Sequence, residues 1–158
     1  MIIRSISGVR GITETHLTPE SAVGYARALH QILPIGVIMA GQDSRPSGED
    51  IIHAMMGELI RLGRTVIHCG IVPTPTIQFM VYNTEAVGGF IVTASHNPIE
   101  WNGMKFVRED STFFHPNECE QLFGLVDTNK ELQDAKDPGI IWPEQNAIQK
   151  HVIACVSL

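Results

Sequence analysis

A repeating cycle of short apolar runs and helix-length amphipathic stretches narrows the possible folds more than any other feature of the chain. Ile35-Gly36-Val37-Ile38-Met39-Ala40 is a continuous apolar run closed by Gly41, the pattern of a strand covered on both faces. Val66-Ile67-His68-Cys69 and Gly89-Phe90-Ile91-Val92-Thr93-Ala94 repeat that pattern. Ahead of the first run, Thr18 followed by Pro19 and Glu20 has the chemistry of a helix start. Ala22, Tyr25, Ala26, Leu29, Ile32 and Leu33 then recur at helical spacing, which predicts a helix over 19–33. After the first run, Ser47 with Asp50 reads as a capping box, and Ile52, Met55, Leu59 and Leu62 form one stripe stopped by Gly63. Thr74-Pro75 opens a shorter helix through about Tyr82. Strands alternating with helices call for right-handed crossovers. The fold class is therefore α/β: a three-layer α/β/α sandwich with a mixed, mostly parallel sheet. Asn102-Gly103 reads as a turn, and Met104 to Val107 as a last strand returning antiparallel to the third.

Pro116-Asn117-Glu118 begins another helix, with Cys119, Leu122, Phe123 and Val126 on one side. Residues 127–139 are polar and turn-rich, and Asp137-Pro138-Gly139 marks a loop. Helical character resumes from about 143 and reaches Leu158 without a stop signal. This divides the chain into a domain over 1–128 and, over 129–158, a linker with a truncated helix leading toward an absent second domain. At 158 residues there is room for one hydrophobic core.

Eleven Lys and Arg stand against seventeen Asp and Glu, and no basic run exceeds two residues. Nucleic acid is thus excluded as the expected partner. No stretch approaches a membrane span, and no signal peptide follows Met1, so a soluble, cytoplasmic protein is expected. Cys69, Cys119 and Cys155 form no paired spacing and read as buried or half-buried thiols. His16, His30, His53, His68, His115 and His151 are scattered and read as surface or satisfied core residues.

In an open α/β sheet, ligands bind beyond the carboxyl ends of the strands. Three loops fall there: Gly41 to Gly48, Gly70 to Thr76, and Thr93-Ala94-Ser95-His96-Asn97-Pro98. All three should meet on one sheet edge. Ser95 stands out, on a strained turn at a strand end, as a nucleophile or phosphoryl acceptor; a plain chain-reversing turn is the other reading. Gly-x-Ser-x-Gly is absent, which disfavours a serine hydrolase. Arg10, in a glycine-flanked turn, could reach a bound anion or be an ordinary surface residue. Lys105, alternating with Met104 and Phe106, could point back at Ser95 or be solvated. Arg45 is assigned to holding its loop together through Asp43, with phosphate binding as the alternative.

These residues carry a resemblance. The serine loop followed by Trp101-Asn102-Gly103-Met104-Lys105-Phe106, together with Gly8-Val9-Arg10-Gly11, Gly41 to Gly48 and Gly70 with Pro73-Thr74-Pro75-Thr76, resembles the first domain of the α-D-phosphohexomutase superfamily. That superfamily includes phosphoglucomutase, phosphomannomutase and phosphoglucosamine mutase. The resemblance implies that Ser95 is a phosphoserine that donates its phosphoryl group to a hexose monophosphate. A 1,6-bisphosphate forms, reorients and returns its other phosphate, so that 1-phospho and 6-phospho sugars interconvert.

By the same resemblance Arg10 and Lys105 flank the transferring phosphate as electrostatic stabilisers or proton-transfer partners, and His96 assists near the nucleophile. It also implies Mg²⁺, bound by an oxygen of the Ser95 phosphate and by aspartates of a second domain, and a glucose 1,6-bisphosphate-type activator. No Asp-rich loop of that kind is present here, so the remaining domains of the same chain are expected partners and the fragment alone is expected to be inactive. Gln42 and Ser5-Ile6-Ser7 depart from common family forms. Mannose or glucose phosphates are the expected substrates. Phosphoglucosamine mutase, or a non-catalytic phosphosugar-binding module, is the alternative.

Overall fold

The computed structural model describes residues 1–157. Its elements in chain order are β1 (Ile3–Ser5), β2 (Gly8–Ile12), α1 (Pro19–Ile32), β3 (Val37–Gln42), α2 (Gly48–Arg61), β4 (Val66–Ile71), α3 (Thr74–Tyr82), β5 (Ala86–Val92), β6 (Trp101–Arg108), α4 (Pro116–Thr128), β7 (Ile141–Pro143) and α5 (Ala147–Val156). The seven strands form one sheet in the order β1-β2-β6-β5-β3-β4-β7. β5, β3, β4 and β7 run parallel to one another, while β1, β2 and β6 join antiparallel. The α/β/α sandwich is as expected, with a larger antiparallel share than one returning strand.

Alternation along each strand sends neighbouring side chains to opposite faces. One face carries Val9, Ile38, Ala40, Phe90, Val92, Met104 and Phe106 against α1, α2 and α4. The other carries Met39, Ile91 and Val107 against α3 and α5. Burial on both faces explains why the central strands read as continuous apolar runs.

Helix ends mostly follow the sequence signals. Thr18 Oγ1 accepts from the Ser21 N–H, with Pro19 at the first turn. Gly63, at φ +83°, stops α2. The Ser47 capping box is not formed: Ser47 has helical backbone angles, and its Oγ instead accepts from Asn102 Nδ2 at 2.9 Å. Three other readings change. Ile35 lies outside β3 and is almost fully exposed. Cys155 is exposed, unlike Cys69, whose burial pushes its thiol up to about 12. His68 Nε2 is buried without a partner. β1, β2 and β7 were not anticipated; β7, in a stretch read as linker, pairs with β4. Among the described residues no helix is long and apolar enough to cross a membrane.

Glu58, only 7% exposed, ties α1 to α2. It accepts from Arg27 Nε at 2.6 Å and from Arg61 Nε and an Arg61 terminal nitrogen at 2.8 and 2.6 Å. Arg61 foremost, then Arg27, holds the carboxyl below its ordinary range. A depressed native pKa contributes stability that is complete above the unfolded value and is lost as pH falls through the native one. Glu58→Gln should therefore cost about 2 kcal/mol at pH 7 and lose less stability than wild type below about pH 4.5. Urea midpoints from pH 3 to 7 would show both.

Candidate active site

The carboxyl ends of β3, β4 and β5 lie side by side, so their following loops share one edge. Backbone bonds join them: the Val72 N–H donates to Gln42 O at 3.0 Å, and the Asp43 N–H to Val92 O at 3.0 Å. This is the crevice position that open α/β sheets use for ligands.

Ser95 ends the β5 segment in the left-handed region, at φ +59°. The turn from Ala94 to Asn97 is closed by the Asn97 N–H on Ala94 O at 3.2 Å, with Ser95 in its second position. A positive φ there is the habit of glycine in a primed turn. Holding a serine in that state costs roughly 1 kcal/mol or more and has to be over-determined by the surroundings. Ser95 is half-buried and His96 exposed.

Two sets of bonds over-determine it. Asp43 Oδ2 accepts from Thr93 Oγ1 at 2.7 Å, and Thr93 Oγ1 in turn accepts from the Ser95 N–H at 3.0 Å. Arg45 supplies the second set. Its Nε donates to Asp43 Oδ2 at 3.2 Å. One terminal nitrogen donates to the carbonyls of Ser95 and Asn97 at 3.0 and 2.7 Å, the other to those of Pro98 and Trp101 at 2.7 and 3.0 Å. All five guanidinium N–H groups are thus engaged inside the loop cluster. The architectural reading of Arg45 holds, and its reach extends well beyond Asp43.

Arg10 pairs with Gly103 across β2 and β6, which places it on the same sheet face as Lys105 two residues on. Its guanidinium donates to Asn97 Oδ1 at 3.3 Å and so reaches the serine loop. Lys105 is half-buried; burial foremost, then the Arg10 charge, lowers its pKa. Its ammonium lies 5.2 Å from the centre of the Phe113 ring. Among the described residues the side chains of Lys105 and His96 make no hydrogen bond to Ser95.

Sequence reading missed the Asp43–Thr93 link and the placement of Asn102. That residue is fully buried within β6, with Oδ1 accepting from the Gly103 N–H at 2.8 Å. Asn102-Gly103 is therefore not a turn. The signal for Asp43 was present: an Asp two residues before a loop arginine is placed to accept its backbone N–H, here at 3.0 Å.

The carboxyl edge of this three-layer α/β sandwich thus holds a serine strained into a primed turn, backed by a saturated arginine and approached by a second. The chain belongs to the phosphoglucomutase/phosphomannomutase family, whose alpha/beta/alpha domain I model matches residues 2–133. It is 32% identical over 146 residues to phosphoglucosamine mutase of Methanococcus aeolicus, covering 91% of this chain and 31% of that protein. It is 40% identical over 140 residues to phosphoglucosamine mutase of Acaryochloris marina, covering 85% and 30%. With the phosphoglucomutase/phosphomannomutase of Thermococcus kodakarensis it shares 34% identity over 157 residues, covering 92% and 34%. The chain thus spans about a third of the length of these curated relatives. The structure of a phosphoglucomutase/phosphomannomutase family protein from Burkholderia thailandensis has the same fold, with TM-score 0.77 and 23% identity, covering 94% of this chain and 35% of that one.

Proposed function

We propose that this chain carries the phosphoryl-accepting and phosphoryl-donating serine of a phosphohexomutase, with Ser95 as the nucleophile. The carrying observation is the left-handed Ser95, held from behind by Arg45 and Thr93 and reached by Arg10 through Asn97. Ser95 Oγ attacks a sugar phosphate's phosphorus, the sugar oxygen leaves with a proton, and phosphoserine forms. Attack on the phosphoserine by the free hydroxyl of a hexose monophosphate reverses the transfer and gives a 1,6-bisphosphate, which reorients and returns its other phosphate to Ser95, so that the sugar leaves with its phosphate moved between positions 1 and 6. Such a transfer depends on positioning and charge neutralisation. Arg10 and Lys105, on one sheet face, supply cationic charge there, and His96 is the exposed neighbour of the nucleophile.

The relatives bear both phosphoglucosamine mutase and phosphoglucomutase/phosphomannomutase names. Glucose or mannose phosphate is the first substrate reading and glucosamine phosphate the second; initial rates with the three 1-phosphates would rank them.

Mg²⁺ is proposed as the metal of the whole protein, but the residues described here do not make its site. No group of three His, Cys, Asp or Glu side chains is gathered among them, and Asp43 is committed to Arg45 and Thr93.

The test is intact-mass spectrometry with site mapping on the full-length protein, before and after incubation with glucose 1,6-bisphosphate and Mg²⁺. One phosphate on Ser95 is the expected result. No uptake by folded protein would leave the binding-module alternative.

A further inference from the structure

We propose that Arg45 is a positioning residue that turns the Ser95–His96 peptide, so that the His96 backbone N–H faces the phosphoryl group on Ser95 and binds one of its oxygens. The proposal rests on the Ser95 reading above and assigns two groups that reading leaves without a catalytic task.

Every peptide bond in the described chain is trans, so a carbonyl and the N–H of the next residue point in opposite directions. Arg45 draws the Ser95 carbonyl toward itself at 3.0 Å. The His96 N–H therefore points away from Arg45, and among the described residues it donates to no acceptor. The neighbouring Ser95 N–H is spent on Thr93 Oγ1 and the Asn97 N–H on Ala94 O. Within the turn, the His96 N–H is the donor left over beside the hydroxyl.

The positive φ of Ser95, at the second position, is what separates a primed turn from its commoner relatives, and it sets where the Ser95–His96 peptide lies. A serine with no constraint would relax to negative φ and swing the peptide. Arg45 prevents this by holding four carbonyls at once, those of Ser95, Asn97, Pro98 and Trp101. A lysine could not do so, because a single ammonium lacks the planar five-donor fork. A fixed N–H aimed at developing phosphoryl charge is the kind of donor whose removal is costly in catalysis.

The experiment compares full-length wild type, Arg45→Ala and Arg45→Lys by the rate of Ser95 phosphorylation from glucose 1,6-bisphosphate. It is paired with ¹⁵N–¹H spectra before and after phosphorylation. Arg45→Ala should slow uptake about 100-fold, Arg45→Lys should not restore it, and millimolar guanidinium should recover about tenfold in the alanine variant alone. In wild type the His96 amide proton should move downfield on phosphorylation, more than those of Ser95 and Asn97. Wild-type uptake rates in Arg45→Lys, or a His96 amide indifferent to phosphorylation, would overturn the proposal even if Arg45→Ala fails to fold. Absence of uptake by wild type would instead overturn the phosphoserine reading, and this proposal with it.

Discussion

Ser95→Gly should leave a protein at least as stable as wild type that takes up no phosphate at all. The hydroxyl is the proposed bond-forming group, so its loss removes the phosphoryl site outright. The backbone effect runs the other way, because glycine adopts the φ of +59° at Ser95 without the steric penalty that a Cβ incurs. Ser95→Ala keeps that penalty and loses the same hydroxyl; it should match glycine in uptake and fall about 1 kcal/mol below it in stability. Urea denaturation and intact mass on the same samples separate the two effects. Phosphate on either variant would move the nucleophile elsewhere. A glycine variant less stable than alanine would mean that the left-handed turn is not strained by its serine.

The class of fold was legible because apolar runs and helical stripes are long-range consequences of burial, which the periodicity of β3, β5, α1 and α2 records directly. The edges of the sheet were not legible. β1 and β7 are three residues each, too short for alternation to register, and β7 exists only because β4 offers it backbone partners. β2 was hidden for a different reason: its glycines Gly8 and Gly11 signal turns locally, yet here they permit close approach to β6 and Leu17. At the site, Ser95 and His96 could be placed by a strand end alone, whereas Arg10, read as lying in a glycine-flanked turn, sits in the middle of β2, where it pairs with β6. The bonds of Arg45 to Pro98 and Trp101 span more than fifty residues, and no local pattern announces which carbonyls a guanidinium will collect.

The capping signal at Ser47 fails for a tertiary reason. Asn102 is fully buried and needs an acceptor for its Nδ2, and Ser47 Oγ supplies it. An unpaired buried amide costs more than a missing side-chain cap at a helix end. Local preference gave way to the larger penalty, and the winning bond ties α2 to the strand beneath the serine loop.

That strand sets up the second large expectation. Gly103→Ala and Gly57→Ala are the same substitution and should shift stability in opposite directions. A Cβ at Gly103 would meet Val9 O at 2.4 Å, Thr93 O at 2.7 Å and Arg10 Cγ at 3.1 Å. The first two are main-chain atoms, one in β2 and one at the root of the serine loop, so neither can rotate away. Relief requires β2 or the Thr93 segment to move, and the Thr93 N–H bond to Gly103 O, 2.9 Å, goes with it. A loss of about 3 kcal/mol or more is expected, at the upper end of overpacking. Phosphoryl uptake should fall as well, since Thr93 and Arg10 both position the loop. At Gly57, exposed in the middle of α2, nothing lies within 4 Å of an added Cβ. Alanine there should add about 0.5 to 1 kcal/mol through helix propensity and a less flexible unfolded chain. Denaturation midpoints of the two variants decide the matter: a tolerated Gly103→Ala would mean that β2 and the serine loop do not close on β6 as tightly as the backbone distances require.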